Sequence, residues 1–299
     1  MIKVSIELVK QLRELTSASM SACHSALLET ENDLQKAIDV IKVKGQNIAS
    51  GQGKIATEGV VAIASFEGGK IQSMIEINSN TDFVSNSPEF KSFACYAAET
   101  VLNKTSDYTT FSVNDVEPAR QQLALKTKEN IVVRRWWAEQ TSNPCVKIFS
   151  YVHSNNKIGV LLTMLAPTEE MKDSSAFDML GNDIAMQIAG MAPISISPDR
   201  LPPETVERQK AIFETQLKEL NKPQAAWPKI LEGKARKWHS EVCLLDQESV
   251  MMPKTTVQQM INKVNTQIQV VNFIRAVVGE GIEVEQKDFA AEVAQLSGV

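Results

Sequence analysis

The chain has 299 residues, 43% of them hydrophobic and 22% charged, with a formal net charge of −5 at pH 7. That length supports two or three domains with cores of their own, and the composition is ordinary for a globular chain. The acidic balance excludes a protein that grips DNA or RNA chiefly by neutralising phosphates, and no apolar run is long enough to span a bilayer.

The opening "MIKVSIELVKQLREL" carries charges throughout and does not read as a signal peptide. The first 45 residues read as three short helices. Ser5 is placed to cap the first, with Leu8, Leu12 and Leu15 at i, i+4 and i+7. Met20, Cys23, Ala26 and Leu27 share a side of the second. Asn32 or Asp33 caps the third, whose stripe is Leu34, Ala37, Ile38 and Ile41, and Gly45 is its expected stop. "GQNIASGQGK" then reads as a Gly-rich linker.

The period changes at "VVAIASF" and "KIQSMIEIN", two strands joined by "EGGK", where Gly68-Gly69 permits a tight hairpin turn. Ile71, Ile75 and Ile77 line one face. After the loop "NSNTDFVSN", "SPEF" starts a helix: Ser87 caps, Pro88 fits the first helical position and Glu89 favours the positive dipole end. Phe90, Phe93, Ala94, Ala97 and Val101 form its buried stripe. A helical stretch around 118–128 precedes the strands "NIVVRRWWAE", "CVKIFSYVH" and, past the "SNN" turn, "KIGVLLTML". A helix with Phe177, Leu180, Ile184 and Ile188 follows and is closed by Pro193.

Residues from "PDRLPPET" to about 247 are polar and charge-rich, with two helical patterns separated at "NKP". Their stripes, Phe213, Leu217 and Leu220 against Ile230, Leu231 and Trp238, are too thin for burial on all sides, so a projecting antiparallel hairpin is expected. Such stripes suit either self-association as a homodimer or a solvated arm. The basic run Lys234, Arg236 and Lys237 reads as a solvated helix face. "TTVQQMINKV" reads as helix, "TQIQVVNFIRAVV" as strand, and "DFAAEVAQL", with Phe289, Val293 and Leu296, as a short C-terminal helix.

Patterns for covalent chemistry are missing. His24, His153 and His239 are widely spaced, without H-E-x-x-H or clustered Cys/His ligands, so no metal and no cofactor are expected. Cys23 and His24 are helix neighbours pointing about 100° apart, a poor nucleophile–base couple. "SGQGKI" resembles a phosphate loop, but Ile48 and Ile55 stand where Gly and Ser/Thr belong, and "GEGIE" lacks the third glycine of a dinucleotide loop. Glu169-Glu170 reads as solvated surface. Cys23, Cys95, Cys145 and Cys243 form no C-x-x-C pair, which suits reduced thiols in a cytoplasm.

That leaves "TDFV", residues 81–84, an acid beside a large ring between a strand and a helix. Phe83 either packs under its own loop, with Asp82 bonding the turn, or is kept for another molecule. The stretch resembles the signature of elongation factor Ts, the guanine-nucleotide exchange factor of elongation factor Tu. "LVKQLRELTSASMSACHSALLETENDLQKAIDVIKVKG" resembles that family's N-terminal module, "ENIVVRR", "KIGVLL" and "IAMQIAGMAP" its core, and "FIRAVVGEGIE" with "DFAAEVA" its C-terminal end.

The resemblance implies that Asp82 and Phe83, flanked by Thr81 and Val84, project into the GTPase: the ring wedges between helices beside the nucleotide site, and the carboxylate helps disturb the magnesium ion. It implies a contacting histidine at His153 and an N-terminal module, including Met20 and His24, that binds a helix of the GTPase domain. It also implies a strand-rich core surface that meets that partner's third domain. The sequence departs from the family pattern at Ser17 and Ser19, where glycines are usual, at His24 and Ser25, where lysines are common, and at Thr127-Lys128, in place of Ile-Gly.

The expected fold is α+β: a UBA-like three-helix module with linker (1–54), core subdomains at 55–140 and 141–280, and a C-terminal module (281–299). A helical hairpin at about 198–247 is inserted in the second subdomain. The expected function is a non-enzymatic exchange factor of translation elongation whose partner is elongation factor Tu, with no direct nucleic-acid or membrane partner. The alternative is a protein-binding adaptor or chaperone-like scaffold without exchange activity.

Overall fold

The computed structural model describes residues 4–16, 18, 20–49, 56–103, 111–219 and 224–282. Its centre is a four-layer sandwich, helices outside and two three-stranded antiparallel sheets back to back within. One sheet has the order β1 (Glu58–Phe66), β2 (Ile71–Ser79), β3 (Val132–Gln140). The other has β4 (Val146–Val152), β5 (Ile158–Leu165), β6 (Gln269–Val277). Gly68 and Gly69 take φ of 66° and 91° in the β1–β2 turn, a conformation other residues adopt only with strain.

Ahead of the sheets stand α1 (Ile6–Thr16), α2 (Met20–Glu29) and α3 (Leu34–Ala49), closed around Leu12, Cys23, Leu27, Ala37 and Ile41. Three expectations change here. The hydroxyl of Ser5 donates to the Glu7 carboxylate at 3.0 Å, while its carbonyl accepts the first helical bond from the Val9 amide. Met20, the first residue of α2, is 41% exposed, although it stands one and two turns before the buried Cys23 and Leu27. Gly45 does not end α3, which runs to Ala49 and takes in the start of the expected linker; one interior glycine costs about 1 kcal/mol relative to alanine, which weakens a helix without ending it. Asp33 does cap α3, its carboxylate accepting the Lys36 amide at 3.0 Å. Ser17, Ser19, Leu220 and the expected C-terminal helix lie outside the described residues.

One outer layer holds the single turn α4 (Asp82–Ser85), α5 (Pro88–Asn103) and α6 (Glu117–Thr127). Phe90, Phe93, Ala94, Ala97 and Val101 of α5 pack on Val60, Ile75 and Ile77. Helix α3 packs on α6, whose Leu125 joins the N-terminal cluster. The opposite layer holds the single turn α7 (Glu169–Lys172) and α8 (Ser175–Met191), with the hairpin α9 (Pro203–Glu219) and α10 (Trp227–Val242), then α11 (Val257–Val264). Phe177, Leu180, Ile184 and Ile188 are all buried against the second sheet. The hairpin helices bury only Leu217 among their described side chains, as its thin stripes foretold.

Between the sheets the apolar contact is small, centred on Val61, Met74, Leu161 and Ala276. Gly159 makes the close approach possible: a Cβ there would stand 2.4 Å from the Val61 side chain and 2.8 Å from the Met74 sulfur. Polar groups complete the interface. Gln72 donates to the Ile148 carbonyl at 2.7 Å, and Glu139 accepts from Thr163 and Asn272. Glu76, fully buried, accepts from Arg134 at 2.9 Å, Arg135 at 2.5 Å and the Gly279 amide at 2.8 Å. Consecutive strand residues ordinarily point to opposite faces. Here Glu76 pairs with Arg135 and Ile77 with Val133, so Arg134 is the extra residue of a β-bulge, and the bulge turns both guanidinium groups to one carboxylate.

Candidate functional site

Strand β2 ends at Ser79, and the chain turns at once into α4. The stretch expected to be a loop is thus one helical turn. Thr81 is its N-cap, in extended conformation, with its hydroxyl accepting the Val84 amide at 3.4 Å. Inside the turn the Ser85 amide donates to the Thr81 carbonyl at 3.3 Å and the Asn86 amide to the Asp82 carbonyl at 2.9 Å. Ser85, fully buried, donates its hydroxyl to the Asp82 carbonyl, and Ser87 donates to the Val84 carbonyl at 2.7 Å while capping α5 through the Phe90 amide.

Successive residues on a helix point about 100° apart, so the turn separates its two large apolar side chains. Val84 leans onto the core beneath β1 and β2. Phe83 faces outward and is 85% exposed, the most exposed large hydrophobic side chain among the described residues. Asp82 beside it is exposed as well. The internal anchor of the turn is Val84, not Phe83.

The turn is also gripped from a distance. Helix α6 ends with Lys128 in the left-handed conformation, φ 59°, its amide donating to the Ala124 carbonyl. That reversal brings Glu129 to Thr81: the carboxylate accepts the Thr81 amide at 3.1 Å and the Thr81 hydroxyl at 2.5 Å. Next to it the Asn130 amide donates to the Asn80 side chain at 2.8 Å. Glu129 was not singled out from the sequence, and no local signal marks it, since its partner lies 48 residues away.

The remaining expected site residues fall in two places. His153 is exposed in the β4–β5 turn, its Nδ1 3.0 Å from the Tyr151 hydroxyl. That turn lies at the α4 end of the sheets: Glu58, the register partner of Ser79, binds Lys157 at 2.6 Å, and the Asn156 carbonyl accepts the Val61 amide. Met20 and His24 are both exposed on α2, and Leu28, one turn further, extends their stripe at 47% exposure. Ser25 is exposed too. A third outward apolar group, not expected from the sequence, is Val250-Met251-Met252. The buried Gln187 side chain accepts the Val250 amide at 2.8 Å, and the Ser249 hydroxyl accepts the amides of Met251 and Met252.

Among the described residues, no three His, Cys, Asp or Glu side chains come together as metal ligands, and no helix is long and apolar enough to cross a membrane. Burial, together with Asp246 and Asp199, pushes the Cys243 thiol up to about 11, and burial raises that of Cys23, so both stay protonated rather than nucleophilic. The protruding acid-and-ring pair on a clamped turn defines a presenting α+β scaffold.

Comparison with known proteins assigns that scaffold. A family model described as Elongation factor TS matches residues 80–280. Proteins named Elongation factor Ts match along the whole chain: that of Methylobacillus flagellatus is 38% identical over all of both chains. That of Burkholderia multivorans is 35% identical over 98% of this chain and 97% of its own, and that of Caulobacter vibrioides 35% identical over 100% and 99%. The chain belongs to the elongation factor Ts family, and is a translation elongation factor.

Proposed function

We propose that the chain is a guanine-nucleotide exchange factor: it binds elongation factor Tu carrying GDP, disturbs the magnesium and phosphate site, and releases GDP so that GTP can rebind. The observation that carries this reading is the 85% exposure of Phe83 on a turn whose Thr81, Val84 and Ser85 side chains are tied down. Leaving a phenyl ring in water forgoes about 2–3 kcal/mol of burial, which a fold would ordinarily recover through its own core. Asp82, one residue earlier, adds a carboxylate at the same tip, suited to competing for a cation or its ligands.

An exchange factor forms no bond; it couples two binding equilibria, and the coupling is reciprocal. Weakening a nucleotide by about 10⁴ takes roughly 5.5 kcal/mol of differential interaction. The wedge alone is too small for that. Lost magnesium ligation and lost phosphate contacts supply the rest, while separate docking surfaces hold the complex. His153 at the same end, the Met20–His24–Leu28 stripe on the head and the core surface serve as those surfaces in this reading. The division into head, two core subdomains and tail follows the same logic, and the cytoplasm is where translation places the partner.

The test is the release of labelled GDP from elongation factor Tu with and without the purified chain. Accelerated release supports the proposal. A stable complex with an unchanged GDP off-rate supports the adaptor reading instead.

A further inference from the structure

The structure assigns to Glu129 the role of a positioning residue that aims Phe83, an inference that rests on the exchange reading above. The physical need is plain. A single helical turn fixes several backbone dihedrals for one or two hydrogen bonds and does not persist alone. Its local bonds, from the amides of Ser85, Asn86 and Ser87 and the hydroxyls of Ser85 and Ser87, tie only the C-terminal side of the turn to the Thr81, Asp82 and Val84 carbonyls.

Glu129 supplies what the turn lacks. Both of its oxygens go to one residue, one to the Thr81 amide and one to the Thr81 hydroxyl. The same hydroxyl accepts the Val84 amide. Because it donates to Glu129, its lone pairs are directed at the helix start, so the carboxylate orients the cap as well as holding it. The clamp spans 48 residues, tying the wedge to the end of α6, the helix on which the N-terminal module packs. Charge-assisted bonds of this kind are the strong ones, and both oxygens of the Glu129 carboxylate are engaged by Thr81.

The measurement is GDP release from elongation factor Tu at saturating and sub-saturating factor, for the wild-type chain, Glu129→Ala, Thr81→Val, Thr81→Ser and Phe83→Ala, and for the double variant Glu129→Ala/Phe83→Ala. Glu129→Ala and Thr81→Val are expected to slow maximal release by about tenfold, the factor equivalent to ~1.4 kcal/mol. The half-saturating concentration should stay nearly unchanged, because docking surfaces elsewhere are intact. Thr81→Ser keeps the hydroxyl and should retain most of the rate. The deciding readout is coupling: with the ring already gone, Glu129→Ala should cost little more. An equal further loss in the Phe83→Ala background, or full activity of Glu129→Ala, overturns the inference while leaving the exchange reading standing. If wild-type protein does not accelerate release, the exchange reading falls and this inference with it.

Discussion

Replacing Phe83 with alanine removes the ring and nothing else the fold uses. The side chain is 85% exposed, so its loss takes almost no packing from the free chain, and the unfolding midpoint should stay within about 0.5 kcal/mol of wild type. On the proposed exchange reading the ring is buried in the partner, and that burial would contribute about 2–3 kcal/mol. At about 1.4 kcal/mol per decade, Phe83→Ala should slow maximal GDP release about 30- to 150-fold. Stopped-flow release of a fluorescent GDP from elongation factor Tu measures the rate, and urea denaturation measures the fold. Phe83→Leu, which keeps much of the apolar area, should fall between. A loss below about threefold with an intact fold refutes the wedge. A large drop in the unfolding midpoint refutes the premise that the ring stands outside its own core.

Three further outcomes follow from the geometry. Lys128 sits at φ 59°, a conformation that costs a side-chain-bearing residue roughly 1–2 kcal/mol, so Lys128→Gly should stabilise the chain by about 0.5–1 kcal/mol after the extra freedom of glycine when unfolded is subtracted; a lowered urea midpoint contradicts this. Glu76 is fully buried with Arg134, Arg135 and the Gly279 amide as donors, and Glu76→Ala should cost about 3 kcal/mol by taking the buried carboxylate from two guanidinium groups that keep the Glu280 and Val277 carbonyls, read by the same denaturation. Thiol labelling at pH 8 followed by mass spectrometry should mark exposed Cys95 quickly and buried Cys23 and Cys243 only on unfolding, because burial holds both of the latter above their ordinary range and Cys243 at about 11; rapid marking of Cys243 in the folded chain refutes its burial.

Local chemistry was legible where local chemistry decides. The start of α5 follows from Ser87-Pro88-Glu89, whose hydroxyl, ring and charge each act within one turn. The β1–β2 hairpin follows from Gly68-Gly69, and the α8 core face from a stripe of four large residues. Four residues of α4 are too short to show a helical period, and its stabiliser Glu129 lies far off in sequence. The bulge at Arg134 is a matter of register between strands that no single strand records. Gly45 misled in the other direction, because a local penalty of about 1 kcal/mol does not stop a helix that its neighbours favour.

The candidate site divides along the same line. Asp82-Phe83 is conspicuous in the sequence as a ring with no obvious place to hide, and its resemblance to a known signature raised it further. Which way the ring points depends on Val84 taking the inward position and on Thr81 being clamped, both products of tertiary structure.

On the proposed exchange reading, the energetics account for the dispersed apolar exposure. If roughly 5.5 kcal/mol of coupling is required and one ring supplies about 2–3, a single larger patch at the wedge would be the simplest supplement. It would also bind the undisturbed GTPase as readily as the disturbed one, and uniform affinity shifts no equilibrium. Separate patches on the head, at Met20 and Leu28, and on the far layer, at Val250-Met251-Met252, can hold a partner in place without favouring either state of its nucleotide pocket. In that reading the ring and carboxylate at the clamped turn are left as the elements whose contacts would differ between the two states. Stiffness at Thr81 then matters as much as the ring itself, because a wedge free to swing would yield before the pocket did.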